Sequence, residues 1–182
     1  MNEEDILDVY RLDKDKGFRC LVERYQQPLY WHIRRMLINH DDTEDVLQEI
    51  FLRVYKHWNS FKGACKLSTW LYKIATNEVL RFIERNKENF ISLEEINKEE
   101  LQYASDKETD IEKLEKMVAL QKAIQNLPEK QRLVFNLRYY DELDYNEISI
   151  ILDTQVETLK TNFFYAKENI KKYIQKYYYE RI

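Results

Sequence analysis

An all-α fold, built as two small helical domains joined by an acidic linker, is predicted by three observations. The 182 residues contain only two glycines and two prolines, where ordinary usage of about 7% and 5% gives roughly 22 together. Strand turns need those residues, which argues against a sandwich, a barrel or a Gly-rich nucleotide-binding α/β domain. Apolar residues recur at intervals of three and four, the spacing of a helix face. Charged residues make up 34% and apolar residues 44%, a globular rather than a disordered composition.

Several function classes recede on composition alone. No apolar run approaches the length of a membrane span. The N-terminus, MNEEDILDVY, is acidic and lacks the basic-then-apolar order of a secretory signal. Cys20 and Cys65 fit no metal spacing and are too few for a disulfide framework. No cofactor, metal or small-molecule substrate is expected. His32, His40 and His57 have no acidic or cysteine partners nearby in sequence, so an enzyme is the weakest reading. The expected location is a reduced cytoplasm.

The formal charge of −4 conceals a pattern. Positions 41–49 carry five acids, Asp41, Asp42, Glu44, Asp45 and Glu49, and no Lys or Arg. Positions 50–90 carry eight basic and three acidic side chains. Adjacent patches of opposite sign suggest two different partners, although a charge run often just faces water. Residues 90–113 are acidic, polar and poor in aromatics, too polar to offset their ordering entropy by burial. They read as the linker between domains at 1–89 and 114–182.

In the first domain a helix is expected over 16–38, with a break or kink near Gln27 because Pro28 lies inside it. A second helix starts near 41–43, capped by Asp or Thr. Val46, Leu47, Ile50, Phe51, Val54 and Trp58 form its inner stripe. Asp45, Gln48, Glu49 and Leu52 face outward, and an exposed leucine favours a partner there. A loop at 59–66 follows. A third helix, capped by Ser68 or Thr69, runs to about Asn86. Its inner face is Leu67, Leu71, Ile74, Ala75, Val79 and Phe82. Its outer side is expected to show Thr69, Trp70, Lys73, Thr76, Asn77 and Arg81. Cations, short hydrogen-bonding groups and an indole suit a surface that holds unstacked bases. The alternative puts Trp70 in the core and the rest in solvent.

The second domain opens with a helix around 113–126. Pro128 then starts another, as proline does well at a first helical position. A short helix (144–152), a turn at 153–155 and a longer helix from Val156 make helix–turn–helix order. A plain helical hairpin has the same pattern. Gln155, Glu157, Thr158, Lys160, Thr161 and Phe164 lie on its exposed early turns, and Lys160, Lys167, Lys171 and Lys172 can neutralise phosphates.

The stretches FRCLVERYQQPLYWHIRRML, DDTEDVLQEIFLRVYKHWNSF and LSTWLYKIATNEVLRFIERNK resemble region 2 of bacterial RNA polymerase sigma factors. LQKAIQNLPEKQRLVFNLRYYDELDYNEISIILDTQVETLKTNFFYAKENIKKYI resembles region 4. The layout is similar to that of the extracytoplasmic-function (ECF) group, over roughly 16–176. The resemblance implies a factor that binds core RNA polymerase through its clamp and flap and directs it to promoter DNA. Asp45, Gln48 and Glu49 match positions that grip the clamp, with Leu52 beside them. Residues 59–66, among them Asn59, Phe61, Lys62 and Lys66, match the loop that captures a flipped base of the minus-ten element. Ser68, Thr69, Trp70, Lys73 and Asn77 match the helix that contacts the melted strand. Gln155, Glu157, Thr158, Lys160, Thr161, Phe164 and Lys167 fall on the minus-thirty-five reader. An anti-sigma factor is implied as a further partner.

The chain departs from the family pattern in two places. Asp153, Thr154 and Gln155 form a turn that usually contains glycine. Asn162, Phe164 and Tyr165 occupy a stretch that commonly carries more Arg or His. More apolar contact to thymine methyls is the expected result. Two other functions compete. A freestanding helix–turn–helix regulator accounts only for the second domain. A helical adaptor without DNA binding leaves all the basic residues as solvated surface.

Overall fold

The computed structural model describes residues 2–86 and 111–179. Every element among the described residues is helical: α1 (Glu3–Leu12), α2 (Lys14–Leu37), α3 (His40–His57), α4 (Leu67–Arg85), α5 (Ile111–Gln125), α6 (Glu129–Phe135), α7 (Tyr145–Leu152) and α8 (Val156–Tyr179). The chain divides into two compact units, Met1–Lys87 with Asn146–Thr154, and Glu88–Tyr145 with Gln155–Ile182. All but the last three positions of the expected linker, 90–113, lie outside the described residues; those three open α5. No described helix is long and apolar enough to cross a membrane.

In the first unit α1 packs on α2, and α2, α3 and α4 pack on one another. Leu21, Leu29, Ile33, Ile50, Val54, Leu71 and Val79 are fully buried between them. Sequence reading missed α1. Asn2 starts it with a capping box: its side chain accepts from the Asp5 amide, and the Asp5 carboxylate accepts from the Asn2 amide. Two orphan donors are satisfied reciprocally. Ile6 then buries completely.

The break expected near Gln27 is absent, and α2 runs through the exposed Pro28. It ends instead at Ile38, whose φ of 68° and ψ of −37° are the signature of a γ-turn. The Asn39 amide accordingly donates to the Leu37 carbonyl at 2.8 Å. A β-branched residue in that region is strained.

In the second unit Ala123, Ile124, Leu127, Phe135, Ala166 and Ile170 form the core. Pro128 stands one position before α6 rather than inside it. The backbone then widens over Asn136–Tyr140, where the Asp141 amide reaches the Asn136 carbonyl at 3.1 Å. This places Tyr139 outside while Leu137 stays buried.

Candidate functional site

The acidic ridge is set by the start of α3. Asn39, not Asp41 or Thr43, caps it, accepting from the Asp42 amide at 3.0 Å. The Thr43 hydroxyl donates back to the Asn39 carbonyl at 2.6 Å. Val46, Leu47, Ile50 and Val54 bury one side of the helix. Asp45, Gln48, Glu49 and Leu52 recur at three and four on the other, and all four are exposed, Leu52 at 60%. Negative charge is dense here. Burial, then the charges of Asp45 and Asp41, push the Asp42 carboxyl above its ordinary value.

The α3–α4 connection carries the basic and aromatic residues. Trp58 is buried with Tyr10 of α1 flat against it, ring centroids 3.9 Å apart. Phe61 is half-buried, 5.3 Å from Trp70 and 6.3 Å from Trp58. Asn59, Lys62 and Lys66 are exposed. Gly63 sits in open space at φ +71°, a conformation that favours glycine. Lys66 Nζ lies 2.9 Å from the Glu147 carboxylate.

On α4 the outward face is narrower than the sequence reading held. Trp70 and Lys73 are half-exposed and Asn77 is exposed, one stripe continuous with Lys66. Ser68 is half-buried. Thr69 and Thr76, expected on the outer side, are only 1% exposed. The reason is that α4 packs against both α2 and α3. Thr76 Oγ1 lies 3.1 Å from the Nε2 of buried His32, and Thr69 Oγ1 lies 3.5 Å from the Glu147 carboxylate.

The cap of α4 also differs. No side chain at Lys66 caps it, and neither Ser68 nor Thr69 precedes its first turn. Glu3 of α1 takes that part: its Oε2 accepts from the Leu67 amide at 2.9 Å and its Oε1 from the Ser68 amide at 3.2 Å. Sequence reading missed Glu3 and Tyr10. The Asn2–Asp5 spacing could have located α1, but not what it touches.

At the head of α8, Asp153 adopts φ 50°, a left-handed conformation that Asp tolerates better than most residues other than glycine. Leu159, Ala166 and Ile170 bury the inner face. Gln155, Glu157, Thr158, Lys160, Thr161, Phe164 and Lys167 are all exposed. Phe164 stands at 55% exposure with Tyr165 edge-on at 5.5 Å. Among the described residues, no group of three or more His, Cys, Asp or Glu could hold a metal ion.

Two family models match in chain order: Sigma-70 region 2 over residues 21–89 and Sigma-70 region 4 over 117–170. The ECF RNA polymerase sigma factor SigW of Bacillus subtilis (strain 168) is 34% identical over 183 residues, covering 96% of this chain and 97% of SigW. This chain belongs to the ECF RNA polymerase sigma factors. The ECF sigma-E factor of Escherichia coli (strain K12) is 33% identical over 176 residues, covering 88% of this chain and 87% of that protein. Like its family, this sigma factor is not an enzyme: it binds RNA polymerase and directs it to promoters through regions 2 and 4.

The fold of this ECF factor is shared with two solved structures. CnrH, in complex with the cytosolic domain of CnrY, superposes with a TM-score of 0.71 at 17% identity, over 96% of this chain and 97% of CnrH. RpoE of Bartonella quintana, in complex with the anti-sigma factor NepR, does so with a TM-score of 0.66 at 18% identity, over 88% of this chain and 98% of RpoE.

Proposed function

We propose that this sigma factor divides its work among three surfaces. Asp45, Gln48, Glu49 and Leu52 dock on the clamp of the polymerase largest subunit. Asn59, Phe61, Lys62, Lys66, Ser68, Thr69, Trp70, Lys73 and Asn77 serve the minus-ten element, with loop 59–66 taking an unstacked base. Gln155, Glu157, Thr158, Lys160, Thr161, Phe164 and Lys167 read the minus-thirty-five element, and the rest of the second domain, 114–182, docks on the flap. The observation that carries this reading is α3 itself. Its acidic ridge faces solvent, its other side is core, and it runs directly into the basic, aromatic connection. Opening duplex DNA costs a few kcal/mol per unstacked base. Stacking on an aromatic ring returns about 1–3 kcal/mol per base. Thr69, being buried, acts in this scheme by supporting Trp70 and Lys73 rather than by direct contact.

Run-off transcription with core enzyme tests the assignment. Glu49→Lys should abolish most core binding while circular dichroism stays that of the parent. Unchanged core affinity would remove the ridge from the clamp. We also infer a cytoplasmic location, where polymerase works, and regulation by an anti-sigma factor. The support for the latter is that one structural relative, RpoE, was solved in complex with the anti-sigma factor NepR. An anti-sigma factor that binds this chain should suppress its run-off activity in proportion to occupancy.

A further inference from the structure

We propose that Glu3 is a positioning residue for promoter opening: α1 supplies the missing cap of α4 and thereby fixes the turn that carries Ser68 and Trp70. The proposal rests on the assignment of α4 to the minus-ten strand. Its geometry is independent of that assignment. A helix begins with amides that have no intrahelical partner, and α4 has no local side chain to satisfy them. Two of them, Leu67 and Ser68, donate to one carboxylate 64 and 65 residues earlier in the chain. The Tyr25 hydroxyl donates to the same carboxylate at 2.8 Å. A negative group there also complements the positive end of the helix.

The rest of α1 is built to hold Glu3 in place. Ile6 is fully buried and Tyr10 lies flat on Trp58, which in turn meets Trp70 edge-on at 6.0 Å. Gly17 lets the two backbones approach: a Cβ there would stand 2.4 Å from Tyr10 Cα. The helix therefore reaches the candidate strand-binding surface at two points, one polar at Ser68 and one aromatic beneath Trp70. The region 2 match begins at residue 21 and does not include α1.

The test uses the full chain with core polymerase and a promoter probe whose minus-ten non-template strand is single-stranded. Glu3→Gln keeps the shape but offers one acceptor oxygen where two amides need one each. It should weaken probe binding about fivefold, the scale of a lost helix cap, with core affinity unchanged. Glu3→Asp keeps the charge and should recover part of the loss. Amide hydrogen exchange in the free chain is the second measurement. Glu3→Gln should speed exchange selectively at Leu67 and Ser68. Parental exchange at both amides overturns the cap, whatever the DNA result. Faster exchange with parental probe binding overturns the positioning role. Equal losses of probe and core binding would reduce Glu3 to a general stabiliser and likewise overturn it. If the parent itself ignores the probe, the strand assignment of α4 fails, while the exchange result still decides the cap.

Discussion

Arg53 on α3 and Glu78 on α4 are joined by an ion pair of 3.1 Å, with the Glu78 side chain only 3% exposed. Arg81 reaches the same carboxylate oxygen at 2.6 Å. Both arginines keep roughly half their surface in water, so each can leave at little cost. The carboxylate cannot. Arg53→Ala or Arg81→Ala alone should therefore cost about 1 kcal/mol or less. Removing both strands a buried charge and should cost about 3–5 kcal/mol. Urea denaturation of the two single variants and the double one checks this. Simple additivity would show that the two pairs are independent.

Gly17→Ala should destabilise the first unit despite alanine's better helix propensity. The new methyl meets the Tyr10 backbone at 2.4 Å, and a backbone cannot step aside as a side chain can. Overpacking of this kind costs about 1–3 kcal/mol, more than the propensity returns. The denaturation midpoint should fall, and a midpoint at or above the parent's would mean that α1 shifts freely.

Acid should erode the contribution of Glu3. Burial pushes its carboxyl up, but hydrogen bonds from Ser68, Tyr25 and the Leu67 amide outweigh burial and hold it below its ordinary 4.5. The folded state thus favours the ionised form. That contribution is complete above 4.5 and is lost as pH falls through the lowered folded value. The stability difference between the parent and Glu3→Gln should shrink as pH falls below the ordinary 4.5. A difference independent of pH would show that the charge plays no part.

Phe164 and Lys160 should separate in their effect on minus-thirty-five binding. Replacing thymine by uracil in that element removes only methyl groups, so it should weaken binding by the parent and leave Phe164→Ala indifferent. Lys160→Ala should instead weaken all sequences alike and reduce the salt slope by about one. If uracil leaves the parent's affinity unchanged, Phe164 is not touching methyls.

The elements most legible in the sequence were those whose faces are set locally. Asp45, Gln48, Glu49 and Leu52 are exposed because Val46, Leu47, Ile50 and Val54 must bury, and one helical period decides both. Asp153 was legible as a left-handed turn because few other residues tolerate that backbone. Thr69 and Thr76 are buried although the periodicity puts them outside, because one period describes one buried face, whereas α4 packs on two neighbours. The sequence offers Ser68 and Thr69 as caps of α4 because capping is usually local. Here it comes from Glu3, and nothing in the sequence near residue 67 announces a partner 64 positions away.

The pairing of Trp58 with Trp70, edge-on at 6.0 Å and flanked by Tyr10 and Phe61, gives the chain a built-in optical gauge. Under the proposed strand-binding role, a nucleobase settling on the half-exposed Trp70 should quench its emission. With Trp31→Phe silencing the remaining indole, arrival of the strand can be timed in the unlabelled protein by fluorescence alone.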